Sequence, residues 1–151
     1  MKKVDKEMAL TAGVNHVGLS VTDLDASKDF FTDILEFDVL RYDAGERAYI
    51  TDGTTMITLW QTAEREADVK TAGMHHLAFQ VESLAILRKI EERMKQKNVR
   101  LQFDGIGVRG QEGGNIALFC YEPSGIRIEL ATSEKDLARE IPIIGGCGVV
   151  D

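Results

Sequence analysis

His16-Val17-Gly18-Leu19-Ser20-Val21 returns further along the chain as His76-Leu77-Ala78-Phe79-Gln80-Val81, and this pair of stretches decides the fold. Both read histidine, aliphatic, small, large apolar, polar, valine, and Leu24 and Leu84 continue the match at the same offset. Alternation of this kind marks a strand with one buried face, because successive side chains point to opposite sides. Self-similarity at a long, constant offset marks a duplicated unit.

Each copy leads into a helical pattern. Asp25 to about Leu35 pairs Phe30 with Ile34 and Phe31 with Leu35 on one face, with Asp23 or Asp25 as cap. The second helix runs from about Leu84 to Lys97 behind Ser83, with Leu84, Leu87, Ile90 and Met94 as its apolar stripe. Three strand-like runs follow each helix: Phe37–Tyr42, Arg47–Thr51 and Thr55–Gln61, then Val99–Phe103, Asn115–Tyr121 and Ile126–Ala131. Glu122-Pro123-Ser124-Gly125 is the turn before the last run, since proline presets φ and glycine admits a positive one.

The expected organisation is therefore an N-terminal extension (1–12), a βαβββ module (13–61), a polar linker (62–73), a second βαβββ module (74–132) and a tail (133–151). A short helix is expected in the tail over Glu134–Glu140. The fold class is α+β, two paired βαβββ modules whose curved mixed sheets enclose a site. The facing sheet comes either from the same chain or from a second subunit.

With 151 residues, 44% hydrophobic and 28% charged, the chain holds one domain's core. The net charge of −7 argues against nucleic acid, which demands a basic surface. No apolar stretch approaches the roughly 20 residues that span a bilayer, and no apolar segment follows the basic start. The expected location is the cytoplasm, and no membrane partner is expected. Cys120 and Cys147 are too few for a disulfide framework and are read as free thiols.

The three histidines, His16, His75 and His76, all lie at the start of the repeated strands. Strand alternation prevents His75 and His76 from sharing a pocket, and the register of the repeat selects His76. Ile57-Thr58-Leu59 matches Ile128-Glu129-Leu130, which puts Glu129 between large aliphatics in a strand. A carboxylate there needs a compensating positive charge. Two imidazoles and one carboxylate make a facial triad for a divalent ion with positions left open for substrate oxygens. His16, His76 and Glu129 are thus the expected metal ligands.

The stretches Asn15–Leu24, His75–Val81 and Glu122–Leu130 together make the chain resemble the vicinal oxygen chelate superfamily over Val14 to Thr132. That superfamily includes glyoxalase I, fosfomycin-modifying enzymes, extradiol dioxygenases, methylmalonyl-CoA epimerase and bleomycin-binding proteins. The resemblance implies paired βαβββ modules, a homodimer, and one divalent metal ion (Fe, Mn, Zn or Ni) held at His16, His76 and Glu129. It also implies a small substrate with adjacent oxygens, and lyase, isomerase or dioxygenase chemistry. Three positions depart from particular members. Thr58 stands in the fourth-ligand slot where glyoxalase I has glutamate, Phe119 where extradiol dioxygenases have tyrosine, and Gly18 where fosfomycin thiol-transferases have threonine. The alternative is a non-catalytic small-molecule binder of the bleomycin-resistance type.

Alternation carries further residues onto the faces of the expected ligands. Trp60 offers an apolar wall and Arg127 a positive charge for an anionic group. Tyr49 and Tyr121 are candidate substrate contacts. Arg109 lies in the glycine-rich stretch Gly105–Gly114, expected to be a mobile lid over the metal.

Overall fold

The protein is described by a computed structural model covering residues 9–150; residues 1–8, most of the expected N-terminal extension, and residue 151 lie outside the described residues. The first unit is β1 (His16–Ser20), α1 (Leu24–Asp29), β2 (Asp38–Asp43), β3 (Arg47–Thr51) and β4 (Met56–Trp60). The second is β5 (Leu77–Gln80), α2 (Leu84–Gln96), β6 (Leu101–Arg109), β7 (Ile116–Tyr121) and β8 (Arg127–Thr132). A two-residue strand, β9 (Ile143–Ile144), closes the series. Among the described residues no helix is long and apolar enough to cross a membrane.

Each unit builds its own sheet, in the orders β1-β4-β3-β2 and β5-β8-β7-β6-β9. In both, the first strand lies parallel to the last one of its βαβββ unit, and the remaining pairs within the unit are antiparallel. Gly18 pairs with Thr58 in one sheet and Ala78 with Glu129 in the other, so the two units share register as well as order. β1 and β5 are both edge strands, each paired on one side only.

The helices cover one face of each sheet because their apolar stripes meet the inward residues of the strands. Asp23 caps α1 by accepting from the amide of Ala26, and Ser83 caps α2 by accepting from that of Ile86. The first helix does not stay α-helical to Leu35. After Asp29 it widens into one π-helical turn, Phe30–Ile34, that buries Phe30, Phe31 and Ile34 together. Phe31, Phe37 and Phe79 stack edge-on or tilted across the units at 5.3 to 6.3 Å, and one continuous apolar core joins both.

Polar contacts fasten the same junction. The buried Glu122 carboxylate accepts from Ser27 Oγ of α1 at 2.6 Å and from the amides of Ser124 and Ile126. Ser124 Oγ in turn accepts from the Thr22 amide. The Glu122–Gly125 turn therefore grips the first unit. Burial pushes the Glu122 carboxyl above the ordinary carboxylate range, while these donors pull the other way. Arg93 of α2 adds bonds to the Ile34 carbonyl and Glu36.

Two expectations from sequence fail here. Residues 134–140 form a turn and not a helix. Asp136 accepts from the Ile141 amide, Arg139 takes a left-handed φ of 55°, and Leu137 is left in solvent with no surface to cover. The Gly105–Gly114 stretch is not wholly a loop either. Gly105 to Arg109 belong to β6, which bulges between Gln102 and Gly107, with Phe103 and Asp104 both at positive φ.

Candidate metal centre

The face of each sheet away from its helix carries the candidate residues. On the first, His16, Thr58, Trp60 and Tyr49 share one side. Trp60 Nε1 donates to Thr58 Oγ1 at 3.0 Å, and the Tyr49 and Trp60 rings lie 6.0 Å apart. Gly18 lies close beside them, and a Cβ there would come within 3.2 Å of Thr58 Oγ1. His16 is exposed, with Nδ1 bonded to Asn15 Oδ1 at 2.7 Å.

The second face gathers the remaining ones. Glu129 lies on β8 with 1% of its surface exposed. His76, immediately before β5, brings Nε2 to 3.8 Å from Glu129 Oε1. His75 Nδ1 lies 2.7 Å from His76 Nδ1, on the side of the ring away from Nε2. Such a bond fixes which nitrogen is free to face the carboxylate. Burial holds the His76 pKa below the usual imidazole value although Glu129 acts in the opposite sense, a shift toward the neutral ring that a metal requires.

Arg109 arrives at this point because the β6 bulge re-aims the strand. Its guanidinium pairs with Glu129 Oε2 and also reaches Cys147 Sγ at 3.4 Å. The Cys147 thiol donates to Glu129 Oε1 at 3.2 Å. Burial, followed by the neighbouring Glu129, raises its pKa and keeps that proton in place. Arg127 is almost wholly buried. It donates to Gln102 Oε1 at 2.9 Å, to the Cys147 carbonyl at 2.5 Å and to the Val149 carbonyl at 2.8 Å, with its plane 4.5 Å from the Phe119 ring centre. Tyr121 packs beneath Arg100 at 4.0 Å. A shallow groove of about 560 Å³ runs alongside, lined by Arg109, Gly110, Asn115 and Cys147 among others.

Of the three expected ligands, the single chain thus brings His76 and Glu129 together. His16 stands on the other sheet, and among the described residues the third potential donor is Cys147. The donor atoms of His76, Glu129 and Cys147 all lie within 4.8 Å of one another. Ligands on one ion with bonds of about 2.0–2.3 Å sit roughly 3.3–3.8 Å apart in a tetrahedron, and the 3.8 Å from His76 Nε2 and 3.2 Å from Cys147 Sγ to Glu129 Oε1 are close to that spacing. Cys147 escaped the sequence reading because nothing local ties it to Glu129. Its one signal is the flanking glycine of Gly145-Gly146-Cys147-Gly148, which lets a backbone lie close against a sheet.

No curated protein sequence matches the chain. Among solved structures, a glyoxylase/bleomycin resistance protein/dioxygenase domain from Frankia sp. EAN1pec is 28% identical, with a TM-score of 0.69 over 83% of this chain and 95% of that one. The fold is likewise similar to lactoylglutathione lyase from Agrobacterium tumefaciens (16% identity, TM-score 0.64, 83% and 96% covered). It is also similar to the fosfomycin resistance protein FosX from Listeria monocytogenes (20% identity, TM-score 0.65, 83% and 96% covered). A family model spans residues 13–130, from before β1 to β8, and with the two βαβββ units in shared register this shows that the chain belongs to the Glyoxalase/Bleomycin resistance protein/Dioxygenase superfamily.

Proposed function

We propose that the protein is a divalent-metal-dependent enzyme acting on a small substrate with adjacent oxygens, in lyase, isomerase or dioxygenase chemistry. The observation that carries this reading is Glu129, a carboxylate buried on the sheet face away from α2 with an imidazole nitrogen 3.8 Å away. Burying a carboxylate is costly unless cations or donors converge on it. A divalent ion held by His76 and Glu129 would supply Lewis-acid stabilisation of negative charge developing on a substrate oxygen. The chain's own contribution is to orient His76 through His75, to exclude water around Glu129, and to offer Arg109 as a positive group beside the bound oxygens.

His16 enters this reading through a homodimer. β1 and β5 each leave one strand edge unpaired, and unpaired edges are where sheets join. Abutting β1 of one copy against β5 of another would bring His16, Thr58, Trp60 and Tyr49 opposite His76 and Glu129. The dimer would function in the cytoplasm, without nucleic acid or membrane.

One observation favours a second reading, a non-catalytic binder of small molecules. Arg109 already neutralises Glu129, so the carboxylate does not depend on a metal. Elemental analysis of protein purified without chelator separates the two. A stoichiometric metal that vanishes in His76→Ala and Glu129→Gln supports the enzyme. A folded dimer without bound metal, even after incubation with Fe(II), Mn(II), Zn(II) or Ni(II), supports the binder. If His16→Ala leaves metal affinity unchanged in a dimer, His16 is not a ligand.

A further inference from the structure

The two faces away from the helices differ in one respect. On the first sheet, His16, Gly18 and Ser20 of β1 are exposed. On the second, residues 141–150 lie across the strands, and Ala117, Phe119, Arg127 and Glu129 are buried beneath them. β9 pairs with the outer part of β6, and Val108 and Gly110 donate their amides to the Pro142 and Ile144 carbonyls. The Ile144 side chain occupies the space over Gly107, where a Cβ would lie 2.3 Å from its Cγ2. Beyond it, Arg127 holds the carbonyls of Cys147 and Val149, and Gln102 donates to Val149 as well. The Arg127 and Gln102 side chains are both buried. This is a built seat for a particular stretch of chain, and it delivers Cys147 Sγ to Glu129 Oε1.

We infer that Cys147 is a tail-borne ligand of the same ion as His76 and Glu129, so that the folded-over tail closes the metal centre of each chain. The inference rests on the metal-dependent reading above and adds to it a ligand. With His76 and Glu129, a thiolate completes a nitrogen, oxygen and sulfur set suited to zinc or cobalt and unsuited to magnesium or calcium. On binding, the thiol proton passes to solvent and Arg109 gives up its bonds to Glu129 and Cys147. No redox step is involved.

Titrating cobalt(II) alone into the full-length protein tests this. Thiolate bound to cobalt gives an intense charge-transfer band in the near ultraviolet, which imidazole and carboxylate do not. The wild type is expected to develop this band at one equivalent. Cys147→Ser is expected to lose the band and bind cobalt at least about tenfold more weakly while keeping its circular dichroism, because even loss of an outer-shell partner weakens sites by about that much. His76→Ala should abolish tight binding. Cobalt bound tightly with no charge-transfer band, or a band that survives in Cys147→Ser, overturns the tail ligand and leaves the metal centre standing. No cobalt binding by the wild type overturns both.

Discussion

Replacing Arg127 with methionine should release the tail without unfolding the sheet beneath it. The guanidinium makes two bonds to tail carbonyls, at Cys147 and Val149, and one to Gln102. Charge-assisted bonds contribute about 1.5–3 kcal/mol each, so the tail loses roughly 3–6 kcal/mol of attachment. Methionine keeps an unbranched apolar stem over Phe119, and exchanging a buried charge for an apolar side chain is often neutral or stabilising for the fold itself. The two effects are separable by amide exchange. Val108 and Gly110 donate to tail carbonyls, whereas Leu118 and Phe119 lie in β7 between two strands. In Arg127→Met the first pair should exchange about 100-fold faster or more, a loss of about 3 kcal/mol, with the second pair unchanged. Equal protection of Val108 and Gly110 in both proteins would refute the reasoning. So would loss of protection across the whole of β7, which would make Arg127 a support of the sheet itself.

Gly107→Ala should unseat β9 by a purely steric route, since Gly107 has an ordinary φ and the new methyl would overlap Ile144. Overpacking of this kind costs about 1–3 kcal/mol, and Ile144→Gly in the same chain should restore protection at Gly110. Glu122 sets a pH dependence. Because its folded pKa is raised by burial, the stability it contributes is complete below its unfolded value and is lost as pH rises through the folded value. Glu122→Gln, which still accepts from Ser124 and Ile126, should therefore gain stability relative to wild type as pH rises from acid to neutral. A wild-type to variant difference that stays constant over that window, measured by urea denaturation, counts against a perturbed Glu122. Zinc at 100 times its dissociation constant should stabilise the wild type by about 2.7 kcal/mol, or raise Tm by roughly 5–10 °C, and should do neither for His76→Ala.

Most of the architecture could be read along the chain because its causes are local. The His16 and His76 stretches alternate, α1 and α2 carry apolar stripes behind Asp23 and Ser83, and Glu122-Pro123-Ser124-Gly125 turns where proline and glycine must. Matching Thr58 to Glu129 anticipated the shared register of the two sheets. Where the reading failed, the cause was non-local. The first helix widens at Phe30 because three apolar side chains must reach the core together. Residues 134–140 stay unwound because nothing lies beneath Leu137. Arg127 was expected to face a substrate, and the structure places its donors on Gln102 and the tail.

The sequence by itself determined the duplicated βαβββ plan, the faces on which His76 and Glu129 lie, and the family they belong to, since periodicity and turn chemistry act over a few residues. Only the tertiary structure decided that Arg109 meets Glu129 through the β6 bulge, that His16 stands on the other sheet, and that Cys147 crosses the second face to the carboxylate. Those contacts close long stretches of chain. They depend on the balance of loop entropy against packing at distant sites, which leaves no pattern in any window of the sequence.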